Sequence, residues 1–195
     1  VTGVQTCALP IYRIDAWRLY MKSRRDSLTF ILLGLLTQSS LHGYELRKRI
    51  TSIYGPFRAL SFGVIYPQLR RMLADGLVKE RVINKSQRSR IEYSITAKGE
   101  RVFADLNETI SDSSWDDEGF EARFAFFTAT TKRNRLRILE GRLLRIQQKI
   151  KMLESEPKST LKNLDKYLAE WRSHALESAE REIAWLEKLI KAERK

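Results

Sequence analysis

From Leu28 to Leu36 almost every position is apolar: Leu28, Phe30, Ile31, Leu32, Leu33, Leu35 and Leu36. A pattern with no polar face predicts a helix buried on most of its surface, with Asp26 or Ser27 as its cap. Thr29 and Gly34 interrupt the run, which is far shorter than the ~20 apolar residues of a membrane span. The chain then turns through residues 38–43 into an amphipathic helix. Its Tyr44, Ile50 and Ile53 face the core, Arg47, Lys48 and Arg49 stay wet, and Gly55-Pro56 ends it. Ser61 is the next N-cap, and Phe62, Ile65, Leu69 and Met72 recur on one face of a helix reaching about Asp75. The opposite surface carries Gly63, Val64, Tyr66, Pro67, Arg70 and Arg71. Pro67 removes a helical hydrogen bond and predicts a kink or a late start.

Two segments of strand composition follow, residues 77–83 and 90–95, with Ile91, Tyr93 and Ile95 alternating onto one face. The loop between them is polar and basic, so Lys85, Arg88 and Arg90 fall within six residues at the hairpin tip. Thr96 caps a further helix. Three helices followed by a basic two-stranded ribbon predict a winged helix-turn-helix, a fold that lays one helix in a DNA groove and sets a wing beside it.

The second half reads as long helices. Residues 111–119 are polar, acidic and turn-rich, and are expected to be a linker between residues 21–110 and 120–195. Phe120, Phe124, Phe126 and Phe127 form an aromatic patch expected in the helix-packing core. Leu136, Leu139, Leu143, Ile146, Ile150 and Leu153 follow in a heptad-like seam that Pro157 interrupts. The last helix repeats the rhythm through Leu161, Leu164, Leu168, Trp171 and Ala175, then shifts to Ala179, Ile183, Leu186 and Ile190. The two stripes either consume each other in a hairpin or serve a twofold partner. The second arrangement is expected, with Leu164, Leu168, Trp171, Ile183, Leu186 and Ile190 at the dimer interface. The fold class is thus mainly α, a winged helix followed by a long-helix dimerisation domain.

Charge sharpens this picture. The 195-residue chain carries +12, and its placement is uneven. Residues 21–99 hold 15 Lys and Arg against 5 Asp and Glu, a net +10, whereas residues 100–195 hold 19 against 18, a net +1. A polyanionic partner for the winged half follows. Catalytic chemistry is not indicated: His42 and His174 lie on different elements and outside any catalytic motif, and no phosphate-binding glycine loop appears. His42 reads as a hydrogen-bonded turn residue, and Asp116, Asp117 and Glu118 as a helix-starting acidic cluster. No cofactor or metal is implied, and the lone Cys7 offers no internal disulfide, in keeping with a cytoplasmic protein. Val1 to Ile11 has no helical or strand period and resembles the conceptual translation of a sequencing-library adapter, so residues 1–20 are expected to be an extension ahead of Met21.

Four motifs carry a specific resemblance: His42-Gly43-Tyr44-Glu45-Leu46; Ser61-x-Gly63-x-x-Tyr66-Pro67-x-Leu69-x-x-Met72; Asp75-Gly76-Leu77; and Arg90-x-x-Tyr93-x-Ile95-Thr96-x-Lys98-Gly99. From Ser27 to about Arg101 the chain resembles the PadR family of bacterial transcriptional regulators. The resemblance implies a homodimeric winged-helix repressor of a double-stranded DNA operator, with C-terminal dimerisation helices and an effector site at their interface. It places Ser61, Gly63, Tyr66 and Pro67 at the start of the recognition helix. The candidate DNA-binding residues are therefore Ser61, Gly63, Tyr66, Arg70, Arg71, Lys85, Arg88 and Arg90. A small aromatic or hydrophobic effector is expected near Trp171 or Trp185. The wing tip Gln87-Arg88-Ser89 departs from the glycine or proline usual there. The rival reading is a helical protein-interaction adaptor, which the +10 asymmetry disfavours.

Overall fold

The computed structural model describes residues 26–55, 62–85, 88–155 and 165–195, with the side chains at 62, 84, 85, 88 and 89 outside that description. The expected extension at residues 1–20 also lies outside it. Two compact units result, residues 1–100 and 101–195.

In the first unit, α1 (residues 26–38) is buried on nearly every side, as its composition requires, with Ile31, Leu32 and Leu33 fully enclosed. β1 (Leu41–His42) leads directly into α2 (Gly43–Tyr54), α3 (Phe62–Ala74) follows, and β2 (Val78–Lys85) and β3 (Arg88–Ile95) form the wing. Leu46, Ile50, Ile65, Leu69 and Met72 are buried as well. One polar pair crosses this core, Gln68 Nε2 donating to Thr29 Oγ1 at 2.8 Å. The expected two-stranded ribbon is a three-stranded antiparallel sheet in the order β1-β3-β2. Residues 41–42, expected in a turn, pair Leu41 with Tyr93 and His42 with Glu92. An edge of β3 would otherwise leave backbone groups unpaired, and two residues suffice to cover it.

Two of the motifs meet at the base of the wing. Gly76, at φ 67°, ends α3 with the paired bonds Gly76 N to Leu73 O and Leu77 N to Met72 O, the left-handed termination that glycine favours. Thr96 then donates to Gly76 O at 2.7 Å while its oxygen accepts from Gly99 N at 3.1 Å, which caps α4 (Ala97–Glu108). Lys98 Nζ donates to Asp75 O at 2.7 Å. A Cβ on Gly99 would lie 2.1 Å from Leu77 O, so the close approach requires glycine.

In the second unit, residues 111–119 do not form an open linker. Ser114 is buried in a 3-10 turn (Asp112–Ser114), and Asp116 accepts from Gly119 N at 2.7 Å to cap α5 (Asp117–Phe124). The serines and aspartates that suggested a loop are capping residues. Arg123 donates to Leu106 O, Asn107 O and Thr109 O and so satisfies the carbonyls at the end of α4; burial lowers its pKa from the ordinary arginine value. A second 3-10 turn (Phe127–Ala129) precedes α6 (Lys132–Glu154), which packs along α7 (Lys166–Arg194).

That hairpin takes up part of the stripe expected at the interface. Leu186 and Ile190 are buried at 0 % and 6 % within one chain, in a core with Phe120, Ile138, Leu139, Ile146 and Ala179, and Ile183 packs against the same core. These three side chains stabilise the protomer because α6 lies across them. Leu168 and Trp171 remain exposed, at 48 % and 68 %, and Leu164 lies outside the described residues. Phe120 and Phe126 are core as expected, whereas Phe124 reaches the surface. Trp185 packs against Phe120 and Phe124 at centroid distances of 6.1 and 5.3 Å, and Trp171 against His174. The two tryptophans are 14 residues apart on one helix, about 21 Å along its axis, and do not share a single pocket within the chain.

Candidate nucleic-acid interface

The periodicity of α3 divides its surface. Ile65, Leu69 and Met72 are essentially inaccessible, and Gly63, Val64, Tyr66, Pro67, Arg70 and Arg71 are exposed. The helix runs continuously through Pro67 rather than starting after it. The bond that proline forgoes is the one to Gly63 O in the first turns, and the buried face holds the helix across that gap. The expected N-cap Ser61 lies outside the described residues.

The wing is amphipathic by register. Lys79 pairs with Ser94, Arg81 with Glu92, Ile83 with Arg90 and Lys85 with Arg88; the intervening pairs are Val78 with Ile95, Glu80 with Tyr93 and Val82 with Ile91. The second set shares the side of the sheet that closes the core, where Val78 and Tyr93 are buried. Farther out, Val82 and Ile91 become exposed because the hairpin extends past that core. Lys79, Arg81 and Arg90 are exposed and belong to the opposite register set. Of the wing-tip cations, the structure describes the side chain of Arg90; Lys85 and Arg88 are placed only by their backbone pairing.

Between the wing and the helices lies a cleft of about 710 Å³ lined by His42, Gly43, Tyr44, Glu45, Lys48, Tyr66, Arg90, Ile91 and Tyr93. It brings Tyr66 and Arg90, both expected at the interface, together with Tyr44 and Lys48. Those two escaped the sequence reading because Tyr44 has the spacing of a core residue, yet it is 67 % exposed. His42 is structural, as expected: its Nδ1 lies 3.2 Å from Ile91 O, an acceptor, and its backbone N donates to Glu45 Oε2 at 3.0 Å. At the cleft floor, burial raises the Tyr93 pKa above the ordinary phenol value, with Glu80 and Tyr66 adding to the shift and Arg70 opposing it.

An exposed helix with small, aromatic and cationic groups, beside a cationic hairpin and a cleft between them, defines a winged-helix protein of the nucleic-acid-binding class. The comparisons with known proteins name it further. The model of the transcriptional regulator PadR-like family matches residues 32–105. The negative transcriptional regulator PadR of Bacillus subtilis (strain 168) is 23 % identical over 181 residues, which cover 84 % of this chain and 95 % of that protein. Among solved structures, Bacillus subtilis PadR in complex with operator DNA is 21 % identical, with 85 % of this chain and 98 % of that one covered and a TM-score of 0.39. A PadR-like transcriptional regulator from Bacillus cereus is 20 % identical, with coverages of 97 % and 99 % and a TM-score of 0.40. No described helix is long and apolar enough to cross a membrane.

Proposed function

We propose that this chain is a homodimeric, DNA-binding transcriptional repressor of the bacterial cytoplasm and not an enzyme, relieved by a small aromatic or hydrophobic effector. The observation that carries the reading is the shared exposure of Tyr66, Arg70 and Arg71 on α3 with Arg90 on the wing, on a unit that holds the chain's charge excess. In this mechanism α3 enters the major groove, where Arg70 and Arg71 meet base edges or phosphates. The wing cations Lys85, Arg88 and Arg90 set the register on the backbone.

A winged helix reads a short site, and two copies read a twofold site with more affinity than one. Among the described residues, the exposed start of α7, with Tyr167, Leu168 and Trp171, offers an apolar surface for a second copy. The effector site is assigned to the aromatic group of Phe120, Phe124, Phe127 and Trp185, where Phe124 and Trp185 are partly open to solvent. Planar ligands stack on such rings. Footprinting on the DNA upstream of the chain's own gene tests the reading. The expected result is a protected site of twofold symmetry with half-sites about one helical turn, or a multiple of it, apart. Uniform protection that unrelated DNA removes would contradict it and bring the adaptor forward.

A further inference from the structure

Gly43 opens α2 and is buried, although nothing in its backbone demands glycine: its φ is not in the left-handed region. What occupies the space of its missing side chain is the ring of Tyr66. A Cβ at position 43 would lie 2.7 Å from the Tyr66 hydroxyl oxygen and 3.0 Å from Cε1 and Cζ. The contact joins the first residue of α2 to the exposed face of α3. Tyr66 is 38 % exposed, so one side of its ring rests on Gly43 while the rest faces the cleft shared with Lys48 and Arg90.

We propose that Gly43 is a positioning residue for DNA reading: the absence of a side chain there seats the Tyr66 ring against the start of α2 and aims it at the DNA. The inference rests on the DNA-binding reading above and assigns the glycine of the His42-Gly43-Tyr44 motif a role through its partner. An exposed aromatic side chain on a helix ordinarily samples several rotamers, and ordering it on binding weakens the complex. A ring already seated is preorganised. The three atoms that an alanine methyl would meet first all belong to the far end of the Tyr66 side chain, so Gly43→Ala is expected to displace the ring and leave the fold standing. Alanine also favours the helix that position 43 begins.

The test is a double-mutant cycle on operator affinity with G43A, Y66A and G43A/Y66A in the full chain, each checked by circular dichroism and thermal melting. G43A is expected to weaken operator binding about tenfold, with binding to unrelated DNA unchanged, and to have no further effect once Tyr66 is alanine. Equal effects of G43A in both backgrounds, or wild-type affinity of G43A, would overturn the inference. Y66F and G43A/Y66F give a second cycle if G43A melts early: with the closest atom removed, the glycine substitution is expected to cost less than it does beside tyrosine, and an undiminished cost overturns the proposal. If the unsubstituted chain itself shows no operator preference, the regulator reading fails, an outcome separate from any of these.

Discussion

Arg142 Nε donates to Glu182 Oε1 at 2.7 Å, tying the middle of α6 to α7 inside the second unit. The same guanidinium, 7 % exposed, donates to Asp117 Oδ1 at 2.7 Å and to Trp115 O at 2.9 Å, and its Cζ lies 5.3 Å from the Phe120 ring centroid. Burial works against its charge, but the hydrogen bonds and negative charges of Glu182 and Asp117 more than offset that and hold its pKa above the ordinary value. Beside it, a Cβ on Gly141 would lie 2.2 Å from Trp115 Nε1, so the indole of the 112–116 segment packs directly on the α6 backbone.

Arg142→Ala is therefore expected to destabilise the second unit by about 3 kcal/mol in urea denaturation, because it leaves Glu182 without its buried partner. Asp117 is 65 % exposed at its side chain, and Asp117→Asn is expected to cost about 0.5 kcal/mol or less. Equal losses would mean that the buried pair does not organise this unit.

Phosphate contacts are read from salt dependence. Arg90→Ala and Lys48→Ala are each expected to reduce the slope of log affinity against log salt by about 0.9, with similar losses on every DNA sequence. Lys149→Ala on α6 serves as the control with an unchanged slope. If Lys48→Ala leaves the slope unaltered, the cleft does not hold the DNA backbone.

Self-association and protomer stability separate on α7. Trp171→Glu is expected to shift sedimentation toward the monomer while leaving the denaturation midpoint in place, since Trp171 makes little contact with the core. Leu186→Ala is expected to lower protomer stability by about 3 kcal/mol through the cavity it opens. A stable monomer population in Leu186→Ala, with none in Trp171→Glu, would reverse the two assignments.

An effector at the Phe124 and Trp185 rings changes the emission of one tryptophan. A phenolic or other planar aromatic compound that releases DNA is expected to quench fluorescence in the unsubstituted chain and in Trp171→Phe, but not in Trp185→Phe. Quenching that survives Trp185→Phe and disappears in Trp171→Phe would move the effector site to the start of α7.

Much of the winged helix is written locally. The apolar run of α1, the period of Ile65, Leu69 and Met72, and the alternation of Tyr93 and Ile95 each follow from one element's own burial. What the sequence conceals depends on partners far along the chain. β1 is two residues long and exists only by pairing with Tyr93 and Glu92. Gly43 and Tyr66 are 23 positions apart, and no local pattern links them. Arg142 sits in α6 as a charged residue, the signature of a wet face, and is buried because three other segments supply its acceptors. Ile183, Leu186 and Ile190 have the spacing of an interface, and spacing alone does not distinguish α6 of the same chain from a second copy.

The central claim is sequence-specific DNA binding through the first unit, and a gel shift tests it most directly. The chain is mixed with its own upstream promoter region at near-physiological salt and challenged with excess unrelated DNA. A discrete complex that resists the competitor, and is lost in Arg70→Ala/Arg71→Ala, is the predicted result. A complex that unrelated DNA dissolves as readily as it dissolves the double variant would contradict it.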